Sequence, residues 1–94
     1  MVEIRWSIDA LEDLESIASY IEQDSPEKAN ELVTEIFEKV EMLKDFPHIG
    51  RIFSERNNER IRELIHKNYR IVYEIKNNII EILIVTHGSR LIRF

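Results

Sequence analysis

The run Ile79-Ile80-Glu81-Ile82-Leu83-Ile84-Val85 constrains this chain most. It is apolar on both faces of an extended strand, so it must be covered on both sides and belongs in the middle of a sheet. Before it, Tyr69, Ile71, Tyr73 and Ile75 alternate with Arg70, Val72 and Glu74, the period of a strand with two different faces. Lys76-Asn77-Asn78 has the composition of a hairpin turn between the two. The alternation directs Tyr69 and Tyr73 to the core and Arg70 to the opposite face. Val85-Thr86-His87-Gly88-Ser89-Arg90 then sets Arg90 just past the apolar strand. A small sheet presenting fixed guanidiniums points to an anionic partner.

The rest of the chain supplies cover for that sheet. Val2, Ile4 and Trp6 alternate with Glu3 and Arg5 as in a half-buried strand. Ser7 is placed to cap a helix whose stripe is Ile8, Leu11, Leu14, Ile17, Ala18 and Ile21. Gln23-Asp24-Ser25-Pro26 breaks it, and Ser25 with Pro26 starts a second helix. Ala29, Leu32, Val33, Ile36, Phe37, Val40 and Leu43 carry its stripe to about Lys44. The short break predicts an antiparallel hairpin. Pro47 stops the helix, and Gly50 suits a turn that other residues would resist. Residues 52–60 read as a loop, and strands are expected at 61–66, 69–76 and 79–87. Trp6 and Phe46 read as core, and Arg51 as a structural residue fixing the helix hairpin to the sheet. The whole is a single α+β domain over residues 1–94. An N-terminal strand, a two-helix hairpin and a three-stranded antiparallel meander follow in order, with the helices on one sheet face and Arg62 and Arg70 on the other.

Composition narrows the chemistry. With 94 residues, 44% of them hydrophobic, two glycines, two prolines and no cysteine, the chain is globular and has no disulfide or thiolate metal site. The start lacks the basic leader and apolar core of a signal peptide, and no apolar run is long enough for a bilayer, so the cytoplasm is the expected compartment, with no membrane partner. The net charge of −5 argues against nonspecific nucleic-acid binding. Residues 1–49 carry 13 acids and 4 bases, a balance of −9, whereas residues 50–94 carry 9 bases and 5 acids, a balance of +4. The second half is therefore the place for an anionic partner. No histidines and carboxylates have helical ligand spacing, so neither a metal nor another cofactor is expected.

Taken in order, Trp6, Ala10 to Leu14, Ser25-Pro26, Phe46-Pro47 with Gly50-Arg51, Arg62, Tyr69-Arg70-Ile71-Val72-Tyr73 and Val85-Thr86-His87-Gly88-Ser89-Arg90 resemble the ParE/RelE superfamily of bacterial toxins. The plasmid-stabilisation branch, ParE, is the most similar, over nearly the whole chain. The specificity lies in the ordered set. The resemblance implies a toxin of a type II toxin–antitoxin pair, neutralised by an antitoxin that itself contacts operator DNA. ParE-like members inhibit DNA gyrase by binding it, and RelE-like members cleave mRNA on the ribosome. A homologue that only binds its antitoxin is a third reading. One fold hosts these activities, so the fold does not choose among them.

Cleaving RNA by internal transfer requires a base, an acid and a cation around one phosphate. By the resemblance, Arg62, Arg70 and Arg90 fall where ribonuclease members carry cations, and His87 is the one neutral-pH proton carrier beside Arg90. Leu64 stands where such members often carry a second lysine, and the sequence reaches Phe94 without their tail tyrosine. Both departures favour the binding reading over an enzyme. Arg62, Arg70, Arg90 and Arg93 are then the candidates for contacting target or antitoxin. The structural alternative for Arg70 is a cross-strand ion pair with Glu74, Glu63 or Glu81. For His87 it is a place at a strand end, and for His48 and His66 a loop or turn.

Overall fold

The computed structural model describes residues 2–53, 56 and 58–88. The first strand, β1 (Glu3–Trp6), leads into α1 (Ile8–Glu22), which Ser7 caps by accepting the Ala10 amide at 3.0 Å. Ser25 caps α2 (Pro26–Glu41) in the same way through Lys28, with Pro26 in the first turn. A 3₁₀ turn at Met42–Lys44 ends the hairpin. Strands β2 (Arg51–Ile52), β3 (Ile61–His66), β4 (Tyr69–Lys76) and β5 (Ile79–His87) follow. The last three have the bounds that alternation predicts.

The sheet order is β1-β5-β4-β3-β2, antiparallel except that β1 runs parallel to β5. Two of these strands refine the expected meander. Residues 51–52 form a short edge strand where a loop start was expected, and β1 closes the other edge beside β5. The α+β class and its two-helix cover are as expected. β5 is an interior strand, and both its faces are covered. On one face Ile80, Ile82 and Val85 join Leu64, Ile71 and Tyr73 beneath Ala10, Leu14, Leu32, Ile36, Val40 and Leu43 of the helical layer. On the other, Phe53, Ile61 and Val72 form a smaller cluster with Leu83 and Ile84. Phe53 is fully buried, its amide donating to the Ile61 carbonyl at 2.9 Å, so the start of the expected loop is a lid on the second face.

A register irregularity between Val72 and Tyr73 pairs them with Ile84 and Ile82, leaving Leu83 between. It shifts the inward set of β5 from Ile80 and Ile82 to Val85. Helix α1 covers the edge of β5 that β1 leaves open. The Ser7 amide donates to the Ile82 carbonyl at 2.9 Å, its hydroxyl donates to the Leu83 carbonyl at 3.1 Å, and the Val85 amide donates to Asp13 Oδ2 at 3.1 Å.

Three expectations of which side a residue faces need correction. Phe46 is 61% exposed, because the 3₁₀ turn swings the chain outward before Pro47, whereas Trp6 stays partly buried and packs against Phe37 at 4.8 Å between ring centroids. Ile8 and Leu11 are exposed, because the buried face of α1 runs through Ala10, Leu14, Ile17 and Ile21, and Ile8 and Leu11 lie off it. Arg62 shares the helix-side face with Leu64 and His66, opposite Arg70, as strict alternation along β3 demands.

Candidate functional site

Glu63 anchors the best-defined charged cluster. It is 3% exposed in the middle of β3, on the face away from the helices. Cross-strand pairing puts Arg51 directly opposite it on β2. Arg70, on β4, reaches it diagonally. Arg51 Nε donates to Glu63 Oε1 at 2.5 Å, and Arg70 Nε and Nη2 both lie 2.7 Å from Oε2. Of the three carboxylates expected for Arg70, register selects Glu63. The Arg70 side chain is 12% exposed, with its guanidinium 5.3 Å from the centroid of the Phe53 ring. The Arg51 side chain is 67% exposed. Arg51 thus ties β2 to β3 rather than fixing the helix hairpin to the sheet.

Arg70 and Arg51 open into a depression of about 460 Å³ shared with Ile65, Lys67, His87 and Gly88. His87, the last residue of β5, sets its ring edge-on to Tyr69 at 5.8 Å between centroids. The Gly88 amide donates to the Asn68 carbonyl at 2.6 Å, and a Cβ on Gly88 would sit 3.2 Å from that oxygen, a tight contact that a larger residue would relieve only by shifting the turn a few tenths of an ångström. The structure therefore gathers Arg70 and His87 with Arg51 and Lys67. It leaves Arg62 on the other face. Arg90 and Arg93, like Phe94, lie outside the described residues.

Two further polar sites are built from residues far apart in sequence. His66 ends β3 as a strand residue, not in a turn, and its Nε2 is 2.8 Å from Glu35 Oε1 of α2. Lys67, in the left-handed region at φ 54°, brings its Nζ to the same oxygen at 3.0 Å. Hydrogen bonds from His66 and then Lys67 hold the Glu35 carboxyl below its ordinary value. No pattern in the sequence announces this pairing. The other site is Tyr73, whose hydroxyl donates to the Pro47 carbonyl at 2.8 Å and accepts the Gly50 amide at 3.0 Å. Burial raises its phenol, partly offset by the Gly50 amide and the Arg62 charge. Gly50 is needed here for space, not for a turn: it has no positive φ, and a Cβ would lie 2.6 Å from the Tyr73 oxygen and 2.7 Å from the Glu63 carbonyl. His48 is exposed in the connecting turn, as expected.

Chemically, the Arg70 depression can hold an anion or an acidic side chain. Guanidiniums do not exchange protons near neutrality, so His87 is its one candidate proton carrier among the described residues. No three His, Asp or Glu side chains among those residues converge as a metal site.

A family profile described as "ParE toxin of type II toxin-antitoxin system, parDE" matches residues 4–92. The chain belongs to the ParE toxin family. Y4kP, a toxin candidate of Sinorhizobium fredii, is 37% identical over 89 residues, covering 93% of this chain and 88% of its own. Toxin RelE2 of Caulobacter vibrioides is 29% identical, covering 97% of this chain and 100% of its own. Among solved structures, the chromosomal ParDE toxin–antitoxin system of P. aeruginosa matches with a TM-score of 0.78 and 26% identity, covering 95% of this chain and 98% of that one. HP0894 of Helicobacter pylori shares the fold at a TM-score of 0.61 and 16% identity, covering 98% and 100%. The protein is thus a ParE-family toxin of the type II toxin–antitoxin class, and no helix among its described residues is long and apolar enough to cross a membrane.

Proposed function

We propose that this ParE-family toxin arrests growth by binding DNA gyrase without catalysing a reaction, and that a cognate antitoxin holds it inactive. The observation that supports this most is the separation of the cations. Arg62 pairs with Tyr73 and Arg70 with Ile65, on opposite faces of the sheet, so the two do not converge on one phosphate. Leu64, at the position of the second ribonuclease lysine, is 5% exposed within the core. Arg70 is committed to Glu63, which suits a rigid binding surface better than a group that must follow a moving charge.

His87 beside Arg70 favours a second reading, a RelE-like ribosome-dependent endoribonuclease with His87 as general acid. Supercoiling and DNA-cleavage assays with gyrase and the purified, antitoxin-free protein separate the two. The binding reading expects inhibited supercoiling with trapped, cleaved DNA. Unaffected gyrase together with mRNA cuts at codon positions after induction would overturn it. Co-expression of the protein encoded beside the toxin should restore growth, and continued arrest would overturn the antitoxin part.

A further inference from the structure

On the helix side of the sheet, where β3 begins and β4 ends, Arg62 lines a second depression of about 260 Å³ with Arg60, His48, Glu59, Ile75 and Lys76. Its cations differ in how they are held. Lys76 is paired with Glu81 at 2.7 Å. Arg62 has no carboxylate partner among the described residues. Its Nη1 donates to two backbone carbonyls, Gly50 at 3.0 Å and His48 at 3.4 Å, and its Nε is buried with no acceptor. A buried donor without an acceptor costs free energy, and the two carbonyl bonds leave the Arg62 charge without a counter-ion among the described residues. Arg60 stands at the rim with its backbone fixed on both sides: its amide donates to Asn58 Oδ1 at 2.9 Å, and its carbonyl accepts the Ile75 amide at 2.8 Å. Its exposed guanidinium has no carboxylate partner among the described residues either.

We propose that this depression is a second recognition site and receives a single carboxylate side chain of a partner protein, held between Arg62 and Arg60. The surrounding charge selects a carboxylate over a nucleic-acid backbone. Each further phosphate of a nucleic-acid chain would add repulsion from Glu59 on the wall and Glu81 beside Lys76, whereas a single carboxylate brings one charge to the planar guanidinium fork. The overall charge of −5 acts in the same direction. The site lies on the opposite sheet face from the Arg70 depression and does not depend on gyrase being the target.

The test is an NMR titration of the full-length, ¹⁵N-labelled protein. It follows the Arg62 Nε–H together with the Gly50 and Arg60 amides. Sodium acetate is added against sodium chloride at matched ionic strength, with inorganic phosphate in parallel. The site predicts saturable acetate shifts at these three groups that chloride does not reproduce. It also predicts binding several-fold weaker in Arg60→Gln, a surface change whose spectrum reports that the fold is intact, and in Arg62→Lys. Equal shifts with chloride, or Arg60→Gln binding acetate as the parent does, would remove the site. Phosphate binding far tighter than acetate would overturn the assignment to a carboxylate.

Discussion

Glu63 and Arg70 form a buried charge pair, while Arg51 meets the same carboxylate from the surface, so the three residues should differ sharply on removal. Glu63→Ala leaves the Arg70 guanidinium, 12% exposed, without its carboxylate, and a cost of about 3–5 kcal/mol is expected in urea unfolding. Arg51→Ala removes a side chain that is 67% exposed and should cost under about 1 kcal/mol. Comparable losses for the two would refute the inside–outside division of the cluster. This bears on function, since an Arg70→Ala variant that loses activity will also have lost part of its fold. Arg70→Lys, which keeps a charge beside Glu63, is the cleaner probe. Tyr73 sets a pH limit. Its folded phenol titrates above the ordinary tyrosine value, because burial penalises the phenolate. The stability it contributes is therefore complete below the unfolded value near 10 and is lost as pH rises through the folded one. Urea midpoints between about pH 8 and pH 11 should fall more steeply for the parent than for Tyr73→Phe, which gives up the Pro47 and Gly50 hydrogen bonds at every pH. Parallel curves would refute this.

At the scale of elements, the two helix caps look alike in sequence and differ in the structure. Ser25 makes an exposed cap and nothing more, so Ser25→Ala should cost about 1 kcal/mol. Ser7 caps α1 and also donates to the Leu83 carbonyl, where the irregular register leaves β5 without a strand partner. Ser7→Ala should cost roughly twice as much, because it removes a second hydrogen bond from a part-buried carbonyl. Equal thermal shifts in the two variants would show that the Leu83 contact contributes nothing. The caps, both helices and the bounds of β3, β4 and β5 were legible, because each rests on local chemistry: a hydroxyl before a stripe, a proline in the first turn, a two-residue period. β2 was not legible, since two residues carry no period. The parallel partner of β1 was not legible either, since pairing across 75 residues leaves no local trace.

For the molecule as a whole, the candidate site was half legible. Alternation put Arg70 on the face away from the helices and offered Glu63 among its partners, but choosing among three carboxylates required the register. Arg62 was misplaced. The same alternation assigns it to the face of Leu64, and its hydrogen-bond partners come from a turn whose path the sequence does not specify. The exposed Phe46 has the same cause: an aromatic just after a helix faces inward or outward depending on how the last turn winds. The ionic tie of Glu35 to His66 and Lys67 joins segments that only the finished fold brings together.

The first strand of this protein pairs with the last strand among its described residues, Glu3 to Trp6 alongside Ile79 to Ile82. During synthesis the chain emerges from its N-terminus. The helix hairpin can wind early, but β1 has no neighbour and the hairpin has no complete floor until β5 arrives. A sheet closed this way stays incomplete until β5 has been made. A chain cut short before β5 would therefore lack both the partner of β1 and the His87 that lines the Arg70 depression.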